Sequence, residues 1–255
     1  MKYFYKEKEI RNKNDWKKAF CSAYSGTSDD YHWKEGRSAE RLAEDFMGKN
    51  AQGEETMVNM VKEIYKAKNV VLGKAEIERA SKFDEYPRPR KQDLAIWGNA
   101  DGKKIFICIE AKVDEAFGSK TISQQRKYVN GLKENNQPTE ADKRLQGLVE
   151  DFLGGDEKNN GHLRYQLLYY LAGSFKDEKG DADIIFMPVI VYQPDFYSRQ
   201  QVKKNHEAYC QFMKALGFDE QNSIEESIIQ DIYYKKLTIN NITKEVYCCY
   251  IVKKC

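Results

Sequence analysis

The chain has 255 residues, of which 41% are hydrophobic and 32% are charged, with a formal net charge of +2. This composition excludes a disordered chain, and no apolar run approaches the roughly 20 residues that a membrane span needs. A charge so near zero does not by itself indicate a polyanionic partner. The N-terminal stretch MKYFYKEKEI lacks the apolar centre of a signal peptide, so we expect a cytoplasmic protein with no membrane partner.

In chain order, the first predicted elements are two amphipathic helices. Apolar residues recur at helical spacing in RSAERLAEDFMG, residues 37–48, where Ser38 is the expected N-cap and Gly48 the expected end. The same period follows in GEETMVNMVKEIYKAK, residues 53–68. Helices are therefore expected to come before the strands.

The period changes in the middle of the chain. DLAIWG, residues 93–98, and KKIFICIEAKV, residues 103–113, are short runs rich in strand-forming residues. They are joined by NADG, which is a strong turn signal. The pattern predicts an antiparallel hairpin.

The rest of the chain adds further elements of both kinds. The pattern predicts, in order, a helix over 162–173, a buried strand over 181–193, a helix over about 200–217 and a strand over 245–253. Gly173 is the expected end of the first of these helices. Pro188 inside the buried run implies a bulge, an edge or a break. Together the elements predict a mixed α/β domain with a central sheet.

The second hairpin strand ends in charged residues. Side chains alternate along a strand, so Glu110 and Lys112 point the same way. Folding the hairpin about NADG returns Asp93 to the neighbourhood of Glu110. Two converging carboxylates repel each other without a cation, which Lys112 and a hard divalent metal such as Mg²⁺ or Mn²⁺ would supply. Such a set suits metal-assisted hydrolysis of a phosphodiester.

These residues resemble a known signature. Asp93, sixteen residues and then Glu110-Ala111-Lys112 resemble the D-x(n)-(D/E)-x-K motif of the PD-(D/E)XK nuclease superfamily, with Gln92 in place of its proline. The resemblance implies a restriction-endonuclease-like fold, a central mixed β-sheet with an antiparallel hairpin flanked by α-helices. It implies that Asp93, Glu110 and the backbone carbonyl of Ala111 bind the metal, and that Lys112 is the catalytic lysine.

The resemblance covers about residues 37–193. We expect one nuclease-like domain over residues 1–255, with its core over about 37–193 and a C-terminal helix and strand extension over about 200–255.

Superfamily members carry further polar residues around the site. Many have a Q-x-x-x-Y arrangement, which Gln166 and Tyr170 match on one face of a helix. Gln166 is therefore a catalytic candidate that would orient the lysine or the attacking water, and the alternative is an amphipathic helix with core tyrosines. Members also place a glutamate on the helix before the sheet, which makes Glu40 or Glu44 a candidate metal ligand. Glu76 is a further candidate if its segment is the first strand.

Basic residues flank the motif and could form a rim that attracts phosphates. They are Arg88, Arg90, Lys91, Lys120, Arg126 and Lys127. Interleaved acids make a plain solvated surface an equal alternative.

The expected function is a Mg²⁺-dependent nuclease, with DNA favoured over RNA as the expected substrate and a homodimer if both strands are cut. One alternative is an inactive nuclease-fold domain that only binds nucleic acid or a protein. A second is an unrelated α/β protein with a chance E-A-K.

The sulfur and imidazole side chains are scattered along the sequence. None of the six cysteines forms a C-x-x-C pair, and His32, His162 and His206 lie far apart. This spacing disfavours a zinc site. Buried free thiols are expected instead.

Overall fold

The computed structural model describes residues 1–24, 33–137, 139–177, 181–193, 198–221 and 227–255, so His32 and Pro138 lie outside the described residues. The described strands are β1 (Lys2–Tyr5), β2 (Lys8–Ile10), β3 (Val70–Ser81), β4 (Arg90–Ala100), β5 (Lys103–Lys112), β6 (Ile184–Gln193), β7 (Asp219–Glu220), β8 (Ile229–Ile239) and β9 (Ile242–Lys254). The described helices are α1 (Lys13–Ala23), α2 (Ser38–Met47), α3 (Gly53–Tyr65), α4 (Ile122–Glu134), α5 (Ala141–Leu153), α6 (Glu157–Asn160), α7 (Tyr165–Phe175) and α8 (Arg199–Ala215).

One mixed sheet joins all of these strands. Its strand order is β2-β1-β3-β4-β5-β6-β9-β8-β7. The pairs β1–β3, β5–β6 and β6–β9 are parallel, and the other neighbours are antiparallel. The sheet separates two hydrophobic clusters, one packed under α1, α2 and α3 and the other under α4, α5, α7 and α8. The prediction of a mixed α/β structure with a large sheet flanked by helices is confirmed.

The predicted hairpin is formed by β4 and β5. Ala100 pairs with Lys103, and the ladder continues to Leu94 opposite Ile109. The turn residues Asp101 and Gly102 both have positive φ, 48° and 86°, as a two-residue hairpin of this twist requires. The hairpin, its turn and its register are therefore as the sequence predicts, and Asp93 and Glu110 are the next residues beyond the last pair of the ladder.

Strand β6, which contains Pro188, lies in the middle of the sheet. It is paired in parallel with both β5 and β9, so of the three consequences that Pro188 implied, a position at the edge of the sheet is excluded. Pairing with β5 is interrupted between Phe186 and Val189, because Pro188 has no N–H to donate. The carbonyl oxygens of Cys108 and Pro188 both lie within hydrogen-bond distance of the Tyr170 hydroxyl, whose single proton they share at the interruption.

Three local expectations need correction. Helices do not come first, since β1 and β2 precede α1 and extend the sheet beyond β3. Ser38 is the first residue of α2, and Arg37 occupies the N-cap position, from which its side chain makes no capping hydrogen bond to the helix. Gly173 lies inside α7, where a Cβ would come within 2.8 Å of Arg90 Cγ. Glycine is used there for close packing of the helix on β4.

The C-terminal segment contributes to the centre of the sheet. Strand β9 pairs with β6 along ten residues and with β8 on its other side. Among the described residues, no helix is both long and apolar enough to cross a membrane.

Candidate active site

The end of the β4–β5 hairpin positions the candidate residues. Along β5, Ile107 and Ile109 pack in the cluster under α2, whereas Phe106 and Cys108 pack in the cluster under α7. The alternation continues along the strand, so Glu110 and Lys112 face α7. This placement explains why two charged residues end a strand that is buried on both faces.

Glu110 is the centre of a hydrogen-bond network. Its Oε1 accepts from Lys112 Nζ at 2.7 Å and from Gln166 Nε2 at 2.7 Å. Its Oε2 accepts from a guanidinium nitrogen of Arg90. Glu110 is 1% exposed and Lys112 is 6% exposed, so the structure brings these predicted residues together in a site largely closed to solvent. The hydrogen bond places Gln166 on Glu110, the carboxylate, rather than on the lysine.

Asp93 completes the predicted set from the neighbouring strand. Its Oδ2 accepts a hydrogen bond of 2.7 Å from the backbone N–H of Ala111, which fixes the carboxyl against β5. Burial, and then the negative charge of Glu110, raise the pKa of Asp93 to about 7. Asp93 therefore changes charge near neutral pH.

Glu110 and Lys112, which lie beside Asp93, are both ionised. Burial opposes the charge on Glu110, but Arg90 and Lys112 outweigh it and lower the pKa of this carboxyl below its ordinary value. Burial likewise opposes the charge on Lys112, but Glu110 and Asp93 outweigh it and raise the pKa of the ammonium. Lys112 therefore keeps its proton at neutral pH.

Arg90 lies inside the site rather than on a surface rim. Its guanidinium contacts Glu110 and lies 5.9 Å from the ring of Tyr170. Its Nε is buried and has no hydrogen-bond partner among the described residues. The expectation that Arg90 lies on a surface rim is therefore wrong, because nothing in RPRKQD shows that β4 begins at Arg90 and turns this side chain inward.

A third carboxylate, Glu78, lies beside Asp93. The flanking pairs Ile77–Leu94 and Arg79–Gln92 place Glu78 on β3 opposite Asp93. Glu78 is 6% exposed, and its Oε2 accepts from the hydroxyl of Tyr24 at 3.2 Å. Burial, and then the charge of Asp93, raise the pKa of Glu78 well above its ordinary value.

The sequence predicted Glu76, and not Glu78, as a candidate metal ligand on this segment. Glu76 instead lies 3.5 Å from Arg79, in an ion pair. Glu78 has a φ of 48°, in the left-handed region, so strand alternation does not predict where its side chain points. The available signal was an acidic residue inside a long strand-forming run.

Glu40 and Glu44 are placed elsewhere. Both accept hydrogen bonds from Lys13 Nζ on α1. Their helix α2 packs on the face of the sheet opposite to α7. Glu40 also accepts from the backbone N–H of Gly36. Within the described residues, neither side chain forms a hydrogen bond or ion pair with Asp93, Glu110 or Lys112.

The acidic residues suit a hard divalent cation. Asp93 and Glu110 offer carboxylate oxygens, the donor type that Mg²⁺ and Mn²⁺ prefer, and Glu78 adds a third. The raised pKa values of Asp93 and Glu78 reflect buried acids held close to one another, a repulsion that a bound cation would relieve. Ala111 lies between Glu110 and Lys112 on β5, in register with Ile190 of β6. The residues therefore fit a metal, although Arg90 already occupies one oxygen of Glu110.

Several of the basic residues that were expected to attract phosphates are engaged in contacts within the protein. Arg126 forms ion pairs with Asp142 at 2.6 Å and Glu157 at 2.7 Å. Lys91 donates to the carbonyl of Ala23, and Lys120 lies 3.3 Å from the ring centroid of Tyr128. Arg88 and Lys127 are exposed.

Comparison with known proteins gives one match. No curated protein and no solved structure matches the chain. A family model matches residues 9–246, and the chain therefore belongs to the family described as a domain of unknown function (DUF6946).

Proposed function

We propose that this protein is a metal-dependent nuclease of the restriction-endonuclease-like fold, which hydrolyses phosphodiester bonds, with DNA favoured over RNA as the substrate. The observation that carries the proposal is the convergence of Asp93, Glu110 and Lys112 at one end of an antiparallel hairpin. The hydrogen bond from Ala111 to Asp93 and the ion pair between Lys112 and Glu110 fix their mutual positions. Cutting both strands of a duplex would require a homodimer.

The ionisation states assign a role to each residue. Asp93 and Glu110, with the carbonyl of Ala111, would hold Mg²⁺ or Mn²⁺. The bound ion would supply Lewis-acid polarisation of the phosphate and a lowered pKa of the attacking water. Lys112 keeps its proton, so its ammonium serves to stabilise negative charge that develops on the phosphate, rather than to remove a proton. Gln166 orients Glu110 through its amide hydrogen bond.

The burial of three acidic residues together favours a catalytic role for this site over a purely structural ion pair. A structural role is satisfied by one acid and one cation, whereas this site buries Glu78, Asp93 and Glu110 together. Placing acids where they raise one another's pKa costs stability and is typical of functional sites.

A cleavage assay tests the proposal. Purified protein would be incubated with supercoiled, linear and single-stranded DNA and with RNA, in Mg²⁺, in Mn²⁺ or in chelator. Cleavage with either metal but not with chelator is the expected result, and Asp93→Asn should remove it. Wild-type protein that cuts none of these substrates in either metal contradicts the proposal.

A second candidate is a nuclease-fold domain that binds nucleic acid or a protein without cutting. The observation that favours it is Arg90, whose guanidinium already neutralises Glu110 where a metal would bind. Binding of nucleic acid with unchanged affinity in chelator, together with no cleavage, would favour this candidate.

A further inference from the structure

Three potential metal ligands meet where α8 crosses the sheet, in a cluster separate from the acidic site. His206 and Cys210 lie one turn apart on α8, and Asp231 projects from β8. The distance from His206 Nε2 to Asp231 Oδ2 is 2.5 Å, and that from His206 Nε2 to Cys210 Sγ is 3.7 Å. All three ligand atoms lie within 4.8 Å of one another.

The contacts share a single ring nitrogen. A thiol nucleophile with a relay histidine needs the thiol on one imidazole nitrogen and the carboxylate on the other. Here Cys210 and Asp231 both approach Nε2 of His206, so a relay of that kind does not fit this arrangement. Convergence of sulfur, nitrogen and oxygen on one point is instead what a coordinated cation requires.

The sulfur–nitrogen separation is close to that of a tetrahedral site, and the nitrogen–oxygen separation is shorter. With zinc–nitrogen near 2.0 Å and zinc–sulfur near 2.3 Å, tetrahedral ligands stand roughly 3.5 Å apart. The observed sulfur–nitrogen distance of 3.7 Å matches this value. The His206–Asp231 contact is a hydrogen bond of 2.5 Å, and it would lengthen by about 1 Å when the proton is replaced by a metal.

We propose that His206, Cys210 and Asp231 form a Zn²⁺ site with three protein ligands and a fourth position open to solvent. Thiolate, imidazole and carboxylate together suit zinc, whereas Mg²⁺ prefers oxygen ligands alone. The site is therefore chemically distinct from the carboxylate cluster around Asp93.

The local backbone directs Asp231 toward the helix. Pairing of β8 with β9 shifts by one residue between Gln230 and Tyr233, which marks a β-bulge. Asp231 lies in this bulge with a φ of 46°. Bulges re-aim a side chain that regular alternation would point elsewhere.

A groove on the same face supplies the open position. It has a volume of about 470 Å³ and is lined by His206 together with Arg199, Lys203, Gln230 and Tyr250, among others. The ring of Tyr250 closes one side of His206 at a centroid distance of 5.2 Å. The His206 side chain is 39% exposed and that of Asp231 is 24% exposed, so an ion could enter from solvent. Arg199 and Lys203 would favour water or a small anion as the fourth ligand.

The spacing of cysteine and histidine residues in the sequence does not predict this site, because its ligands come from two elements, α8 and β8. His206 and Cys210 form an H-x-x-x-C pair whose ligand character depends on both residues lying on one helix face. Asp231 is twenty-one residues beyond Cys210, and only the bulge in β8 brings it to the pair.

Cobalt titration of the full chain tests the site. Metal-free protein, prepared with chelator and kept reduced, would be titrated with Co²⁺, whose thiolate coordination gives a charge-transfer absorption, and then with Zn²⁺ as competitor. We expect one Co²⁺ per chain with this absorption, displaced by Zn²⁺. Wild-type protein without the absorption at micromolar Co²⁺ overturns the proposal.

Variants assign the ligands. Cys210→Ser should remove the charge-transfer band, and His206→Gln and Asp231→Asn should each weaken Zn²⁺ affinity by at least about 100-fold. Matched controls are Cys255→Ser and His162→Gln, which remove an exposed thiol and an exposed imidazole elsewhere and should change neither property. Affinity that survives all three ligand variants, or that is lost in a control, contradicts the assignment. Circular dichroism of each variant checks that loss of binding does not reflect unfolding.

Discussion

Arg90 donates a guanidinium hydrogen bond to Oε2 of Glu110, on the side of the carboxylate opposite to the oxygen shared by Lys112 and Gln166. The side chain of Arg90 is 11% exposed and that of Glu110 is 2% exposed, so this is a buried ion pair. Arg90 therefore holds Glu110 ionised in the metal-free protein, and it competes with any cation for the same oxygen.

Removal of Arg90 should show whether its guanidinium and a metal ion compete for Oε2 of Glu110. Arg90→Ala leaves a buried carboxylate short of one cation, which we expect to cost about 3 kcal/mol of unfolding free energy in chelator. The same variant should bind Mg²⁺ more tightly than wild type, and saturating Mg²⁺ should restore much of the lost stability. Urea denaturation with and without Mg²⁺ measures both effects. Arg88→Ala, two residues earlier and exposed, is the matched control. An equal loss of stability with and without Mg²⁺ would show that Arg90 does not occupy a metal position.

Asp93 should control metal affinity. Asp93→Asn keeps an oxygen that can accept the hydrogen bond from Ala111 but removes the charge. We expect calorimetry to show that Mg²⁺ binding is abolished in this variant, while its melting temperature in chelator is unchanged or higher because one buried repulsion is gone. Mg²⁺ affinity equal to that of wild type would exclude Asp93 as a ligand.

The same variant should change how stability depends on pH. The pKa of Asp93 is raised from 3.8 to about 7 in the folded protein, so the folded state binds more protons than the unfolded state between these values. The contribution of Asp93 to stability is therefore full below about pH 4 and is lost as pH rises through about 7. Each pKa unit corresponds to about 1.4 kcal/mol.

Denaturation of both proteins in chelator from pH 4 to pH 8 measures this effect. Relative to Asp93→Asn, wild type should lose up to a few kcal/mol across the interval. Parallel stability curves for the two proteins would contradict the raised pKa.

Tyr170 should matter for stability. Its buried hydroxyl shares its single proton between the carbonyls of Cys108 and Pro188 in two adjacent strands. Tyr170→Phe leaves these acceptors short of a donor, so we expect a loss of about 1 to 3 kcal/mol in urea denaturation. Tyr128→Phe, on an exposed tyrosine, is the control and should be neutral within about 0.5 kcal/mol. An unchanged free energy of unfolding in Tyr170→Phe would mean that the carbonyls of Cys108 and Pro188 do not need the Tyr170 hydroxyl as a donor.

The hairpin and its charged end could be predicted from the sequence because local rules decide them. The turn residues Asp101 and Gly102 fix the register, and the period-two alternation of β5 fixes the direction of Glu110 and Lys112. Gln166 could be placed because one helix face carries it toward the sheet.

Other features depend on contacts that no local pattern reveals. The side chain of Glu78 points toward Asp93 because Glu78 itself has a positive φ. Arg90 enters the site because Gly173 lets β4 approach α7 closely. Pro188 fits a central strand only because Tyr170, distant in sequence, supplies a donor. The position of α2 under the opposite face, which takes Glu40 and Glu44 to Lys13, likewise follows from packing of apolar side chains rather than from the spacing of the acids.

Single-turnover cleavage by Lys112 variants tests the central claim most directly. At saturating Mg²⁺ or Mn²⁺, Lys112→Ala should still bind metal and nucleic acid but cut roughly 10² to 10⁴ times more slowly than wild type. Lys112→Arg should not restore the rate, because a planar guanidinium cannot occupy the position of the compact ammonium. A wild-type protein that cuts, with unchanged rates in both variants, would contradict the catalytic role of Lys112 and leave it as a structural partner of Glu110.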